Sequence, residues 1–213
     1  MKTLAKAVAV ASLVSASALT AQVANAEVSF NAALVSDYVW RGQSQTDNGV
    51  AVQGGADYSH ESGAYAGVWG SNVDFGDDDN IEYDLYVGYA TEVNGLELDL
   101  GYISYNYDDS GDCCSEIYVG VAKGAASAMI SIDAENQENT YLEGGYSLEL
   151  PEDLGLDLHA GYNIPDEGDE VIDLAATIGK SLEMVDVSAT ITYIDSDFVE
   201  DDVLFFLTAS KEF

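Results

Sequence analysis

After residue 26 the chain is built on a period of two. In Ile81-Glu82-Tyr83-Asp84-Leu85-Tyr86-Val87-Gly88-Tyr89, apolar and mostly polar or small positions take turns. Leu96-Glu97-Leu98-Asp99-Leu100-Gly101-Tyr102 and Leu154-Gly155-Leu156-Asp157-Leu158-His159-Ala160-Gly161-Tyr162 repeat the design. Successive side chains of an extended strand point to opposite faces, so this pattern makes a ribbon with one apolar face. The 3.6 period of an amphipathic helix is not found, and no mature segment approaches the ~20 apolar residues of a membrane helix. Such a chain must form a sheet, and its apolar face must be covered by a second sheet or by lipid.

The alternation predicts about twelve strands. They cover residues 28–41, 49–59, 64–73, 81–92, 96–107, 114–122, 128–133, 141–150, 154–164, 171–179, 183–194 and 203–213. Most have the length of a tilted membrane strand, about 9–11 residues. The connections fall into two classes. Those after odd-numbered strands are long and polar: Gly42–Asn48, Asp74–Asn80, Asp108–Cys113, Ala134–Thr140, Pro165–Glu170 and Asp195–Asp202. Those after even-numbered strands are short: His60–Gly63, Val93–Gly95, Lys123–Ser127, Pro151–Asp153 and Lys180–Leu182. Nearly all the carboxylates in connections lie in the long class. A soluble sandwich has no reason to sort its loops this way. An outer-membrane barrel has one, with short periplasmic turns and long external loops. The expected fold is therefore all-β, a single antiparallel up-and-down transmembrane barrel, with both termini on the periplasmic side.

The two ends agree with this. Met1, Lys2 and Lys6 open the chain, an apolar run follows to about Leu19, and Ala24-Asn25-Ala26 closes it. Basic start, apolar middle and small-x-small site are the marks of a secretory leader. The expected organisation is a signal peptide over 1–26 and a barrel over 27–213. The last strand carries Val203, Leu204, Phe205, Phe206 and Leu207 and ends on Phe213, with apolar residues at alternate positions before Lys211. It resembles the C-terminal signal of outer-membrane barrels. Aromatics gather near predicted strand ends. Tyr38, Trp40, Tyr83, Tyr105, Tyr107, Tyr141, Tyr162 and Tyr193 are expected at an external girdle, and Phe30, Tyr58, Tyr65, Tyr89 and Phe213 at a periplasmic one.

Charge narrows the function. The chain carries 39 acidic against 6 basic side chains, a formal charge of −33. With Lys2 and Lys6 leaving in the leader, only Arg41, Lys123, Lys180 and Lys211 remain. Nucleic acid, which needs clustered Lys or Arg, is excluded as a partner. Disorder is excluded by the 14 Tyr and the many Val, Ile and Leu. The only cysteines, Cys113 and Cys114, are adjacent and can close only a small ring, so a core-stapling disulfide is not available to them.

Two segments carry a family resemblance. One is Val35-Ser36-Asp37-Tyr38-Val39-Trp40-Arg41-Gly42-Gln43-Ser44-Gln45-Thr46. The other is Gly63-Ala64-Tyr65-Ala66-Gly67-Val68-Trp69-Gly70-Ser71-Asn72-Val73-Asp74-Phe75, followed by Glu82-Tyr83-Asp84-Leu85-Tyr86. They resemble the TorF-type porins, proteobacterial outer-membrane proteins of unknown function, sharply over residues 34–90 and in strand rhythm beyond. The resemblance implies an outer-membrane channel and supplies no catalytic residues.

The parity that faces lipid cannot accept charge, so Asp57, Glu82, Asp84, Glu97, Asp99, Glu143, Glu149, Asp157 and Asp173 are assigned to the lumen. Asp37 and Arg41 share a parity opposite to Tyr38 and Trp40 and are expected near the external mouth. There Arg41 either forms part of a constriction or pairs with Asp37 or a loop carboxylate. With so few cations to pair with, the lumen acids call for water, and a water-filled lumen is a conduit. The leading expectation is a porin that prefers cations. Its partners would be outer-membrane lipid, small hydrophilic solutes or cations and the barrel assembly machinery, with a homo-oligomer compatible and no cofactor called for. The alternative is a non-conducting structural or adhesive barrel whose acidic loops bind cations. The Asp77–Asp79, Asp108–Asp112 and Asp166–Glu170 runs offer oxygen ligands but lack the spacing of an EF-hand. A third reading, an esterase using Ser147 and His159, ranks below both.

Overall fold

The structure is a computed structural model that describes residues 26–135, 139–165, 170–196 and 202–213. The expected signal peptide lies almost wholly outside the described residues. Twelve strands close into one antiparallel barrel: β1 (Glu27–Val35), β4 (Ala51–Ser59), β5 (Ala64–Asn72), β6 (Ile81–Val93), β7 (Leu96–Tyr107), β8 (Gly111–Lys123), β9 (Ala126–Asp133), β10 (Asn139–Leu150), β11 (Leu154–Pro165), β12 (Val171–Ser181), β13 (Asp186–Ser196) and β14 (Asp202–Glu212). Each pairs with its sequence neighbours, and β1 pairs with β14. Two further two-residue strands, β2 (Val39–Trp40) and β3 (Gln43–Ser44), form a separate hairpin in the first long connection. A 3₁₀ turn at Pro151–Asp153 is the only helical element among the described residues.

The alternation is translated directly into inside and outside. On β6, Glu82 and Asp84 are buried, whereas Ile81, Leu85 and Val87 are about half exposed. Val28, Leu34, Leu100, Ile117, Phe205 and Leu207 are likewise exposed on other strands. An outer wall of this kind suits hydrocarbon, and closure leaves no strand edge unpaired. The barrel is thus of the outer-membrane type. The side chains held away from the outside are largely polar, among them Gln53, Ser71, Thr177, Thr190, Thr192 and Thr208.

The seam between β1 and β14 is the shortest union, with register from Asn31↔Glu212 to Val35↔Thr208, whereas β6 and β7 pair from Glu82↔Tyr107 to Val93↔Leu96. Phe213 lengthens it: its amide donates to Phe30 O at 2.8 Å and its carbonyl accepts from Phe30 N at 3.2 Å.

Two expectations need correction. The first strand does not run to residue 41. It stops at Val35, because residues 36–44 turn inward instead of continuing up the wall. The girdle assignment also fails for Tyr38, Tyr105 and Tyr141, which are buried. Parity explains the strand cases: Tyr105 shares its face with Asp99, and Tyr65, also placed in a girdle, points inward to bond Asp99. Tyr58, Tyr83 and Tyr89 do face outward. Cys113 and Cys114 are bonded to each other in β8, where the register with β7 shifts by a residue between Tyr105 and Asn106.

Candidate functional site

The inward connection decides the shape of the lumen. Val39 pairs with Ser44 and Trp40 with Gln43, leaving Arg41 and Gly42 as a two-residue turn with φ of 47° and 81°. Two positive φ values in a tight hairpin are the type I′ arrangement, which suits glycine and strains arginine. The strain at Arg41 is offset by what its side chain reaches. Its two terminal nitrogens donate to both oxygens of Glu116 on β8 at 2.8 and 2.9 Å. Its guanidinium carbon lies 3.9 Å from the ring centre of Tyr141 on β10 and 4.3 Å from that of Trp40. A bidentate, stacked arginine is the strongest form of such a contact. The turn itself abuts the wall beyond: a β-carbon on Gly42 would lie 3.0 Å from Ile194 Cβ and 3.1 Å from Asp173 Cβ.

The stem is fixed as well. Tyr38 packs edge-on to Trp69 of β5 at 5.4 Å, and Trp40 edge-on to Tyr105 of β7 at 5.9 Å. Asp37 accepts from Ser44 Oγ at 2.6 Å and Thr46 Oγ1 at 3.0 Å. Gln45 N donates to Tyr38 O, and Asp74 N of the next external connection donates to Gln45 O. Rooted between β1 and β4, the hairpin touches β5, β7 and β8 on one side and β10, β12 and β13 on the other. It crosses the lumen and constricts it.

The expected lumen acids Asp57, Glu82, Asp84, Glu97, Asp99, Glu143, Glu149, Asp157 and Asp173 all sit on the interior parity of β4, β6, β7, β10, β11 and β12. Asp37 and Arg41 are not on a strand at all but in and beside the hairpin. Arg41 takes neither Asp37 nor a loop carboxylate as partner. It takes Glu116, which sequence reasoning passed over although Ile117 and Val119 facing outward put Glu116 on the inner face.

Phenols donate to four of these nine carboxylates, and also to Glu116. Tyr38 donates to Glu82 at 3.2 Å, Tyr65 to Asp99 at 2.8 Å, Tyr105 to Glu116 at 3.2 Å and Tyr141 to Asp173 at 2.9 Å. Tyr86 donates to Asp57, which also receives Asn31 Nδ2 at 3.3 Å. A hydrogen bond to a charged acceptor contributes about 1.5–3 kcal/mol, so neutral donors can hold anions inside without importing a second charge. Room for the rings comes from glycine on the adjacent strand. Gly67 stands opposite Tyr86, Gly88 opposite Tyr65 and Gly101 opposite Tyr118, each so close that a β-carbon would overlap the ring. Asp84 has no such donor. It is 0% exposed, and neither oxygen has a hydrogen-bond partner among the described residues.

His159 Nε2 lies 2.9 Å from Asp173 Oδ1, while Ser147 donates to Asp157 at 2.6 Å. The serine and histidine weighed for an esterase are therefore engaged with different partners. Among the described residues no three His, Cys, Asp or Glu side chains are placed to hold a metal ion. The acidic loops instead bind to one another: Asp79 accepts from the amides of Asp109 and Ser110 and from Ser110 Oγ, and Asp108 accepts from the amides of Asn80 and Ile81. The run at 166–169 lies outside the described residues.

Comparison with known proteins agrees with this architecture. The sequence matches, over residues 20–210, the profile of a family described as bacterial protein of unknown function, Gcw_chp. No curated protein sequence matches the chain. Among solved structures the fold is similar to the KdgM porin, at 7% identity and a TM-score of 0.63, covering 87% of this chain and 99% of that one. Weaker likenesses include Pseudomonas aeruginosa OpdK with vanillate, at 11% identity and a TM-score of 0.46, and P. aeruginosa OccK9 (OpdG), at 10% and 0.44. The chain spans 56% and 64% of those two chains.

Proposed function

The chain belongs to the Gcw_chp family of bacterial proteins of unknown function, and from that footing we propose that it is an outer-membrane channel for small hydrophilic solutes, with a preference for cations, constricted by its first external connection. The observation that carries the reading is a lumen lined with carboxylates in which Arg41 is already neutralised by Glu116. A pore lined by carboxylates lowers the energy of cations and raises that of anions, and low-dielectric walls focus the field. The porin-like fold and the TorF-type resemblance over residues 34–90 support a conduit. So does the outer wall, whose exposed apolar side chains suit surrounding lipid. An exported barrel of this kind would rely on the barrel assembly machinery for insertion.

The test is the zero-current potential of single channels in planar bilayers across a KCl gradient. A cation-directed sign is expected, shrinking at high salt because the Debye length falls to about 3 Å at 1 M. An anion-directed sign would overturn the charge assignment. The hairpin across the lumen also favours a second reading, a structural barrel that does not conduct. It predicts no single-channel steps in the wild type, with steps appearing only when the hairpin is released.

A further inference from the structure

The buried carboxylate of Asp84 has chemistry that the lumen leaves incomplete. Its neighbours in register are Trp69 on β5 and Tyr105 on β7. Against these two rings stand the hairpin's Tyr38 and Trp40, edge-on at 5.4 and 5.9 Å. Glu82, two residues along the same inner face, accepts the Tyr38 hydroxyl and no other side chain among the described residues. The compartment thus has aromatic walls, two carboxylates and one neutral donor, which serves Glu82.

Arg41 stacks on Trp40 at 4.3 Å, but among the described residues neither it nor any other cationic side chain pairs with Asp84. Arg41 is committed to Glu116, and the other ion pair among the described residues joins His159 to Asp173. Lys123, Lys180 and Lys211 lie at the ends of β8, β12 and β14, away from this level of the barrel. A carboxylate sealed from water without a donor or a counter-charge is strongly unfavourable. A divalent metal is poorly served, since it wants three or more such ligands and none are grouped here. Aromatic faces, by contrast, attract cations through their negative quadrupole, and rings around an anion are the means by which organic ammonium ions are held.

We propose that Asp84, flanked by Trp69 and Tyr105 with Tyr38 packed against Trp69, is a binding site for a small organic ammonium ion. The ion contacts the carboxylate at one pole and the rings around it. Because Tyr38 and Trp40 belong to the inward hairpin, the ion can enter only as the hairpin moves aside, and its binding is linked to the hairpin's position. The inference rests on the channel reading only in that the lumen supplies the route.

The chain contains 2 Trp, and both belong to this compartment, so fluorescence reads it without any need for conduction. The mature protein in detergent would be titrated with tetramethylammonium chloride, and separately with NaCl at matched ionic strength. The expected result is a saturable emission change with tetramethylammonium and none with NaCl. Asp84→Asn should weaken the apparent affinity by at least about tenfold, while Glu183→Gln, exposed in the turn between β12 and β13, should leave it unchanged. Folding of each variant is checked by its heat-dependent shift on gels. Trp69→Leu, read through Trp40, is the second variant and should also weaken binding. Wild-type affinity in Asp84→Asn, or in Trp69→Leu should Asp84→Asn fail to fold, would overturn the proposal. So would a change that NaCl reproduces or one that does not saturate. Saturable binding without bilayer conductance would sink the channel reading and leave this one standing. Conductance without saturable binding would do the reverse.

Discussion

At the level of single residues, Arg41 and Gly42 hold the hairpin across the lumen by different means. Arg41 accepts an unfavourable positive φ because its guanidinium is clamped to Glu116 and stacked on Tyr141. Arg41→Ala removes the clamp, at about 1–3 kcal/mol for hydrogen bonds to a charged group, and should free the turn rather than unfold the barrel. Gly42→Val adds a side chain where a β-carbon already meets Ile194 and Asp173 at 3.0 and 3.1 Å, so it should push the turn off the wall. Both variants are expected to raise single-channel conductance and current noise. If both conduct as the wild type does, the hairpin does not set the path.

At the level of elements, the external connections and the seam are where stability should be unevenly spread. The connection at 73–80 is latched to the one at 108–110 by carboxylates accepting backbone amides. The amide of Ser110 holds the Asp79 carboxyl below its usual range, and the amides of Asn80 and Ile81 do the same for Asp108. A carboxyl whose folded pKa is depressed contributes stability that is present above its unfolded value and lost as pH falls through the folded one. Amide exchange at Asn80, Ile81, Asp109 and Ser110, corrected for intrinsic rates, should therefore quicken below about pH 4, while the amides of β6 beyond Ile81 and those of β7 stay protected. A second contrast concerns closure. β1 meets β14 over the short register Asn31↔Glu212 to Val35↔Thr208, and local opening is easiest where fewest backbone bonds must break. Exchange in β1 and β14 should outpace that in β6 and β7. Uniform protection around the barrel would refute this.

At the scale of the whole molecule, selectivity should follow depth rather than total charge. Loop acids such as Asp77, Asp78 and Asp79 face bulk solvent, where salt screens them within a Debye length. Glu97 and Asp99 sit inside a low-dielectric wall on β7. Replacing Glu97 and Asp99 by Gln and Asn is expected to lower the cation-to-anion permeability ratio more than neutralising the three loop residues together. A larger effect from the loop variant would place the selective field at the mouth. Divalent ions held by the loops would produce the same result, and chelator in the external chamber would then reverse it.

How far the sequence reached can be judged element by element. Period-two alternation has only one geometric meaning, so β7 was legible to its end residues, and most other strands to within a few. Parity likewise put Glu82, Asp84, Asp99 and Asp173 on the inner face, because a charge cannot face hydrocarbon. What alternation cannot say is whether an alternating segment stays in the wall. Residues 36–44 keep a strand-like rhythm, yet after Val35 they leave the wall, because Asp37, Tyr38 and Arg41 find partners across the lumen that no local pattern encodes. The same holds for the pairing of charges. Glu116 for Arg41, and a tyrosine for each of Asp57, Glu82, Asp99 and Asp173, depend on registers between strands many residues apart. Sequence alone determined that the chain closes into an outer-membrane-type barrel with an acidic interior. Only the tertiary structure decided which connection fills that interior and that the buried Asp84 has no hydrogen-bond partner among the described residues, since both depend on contacts across a closed ring.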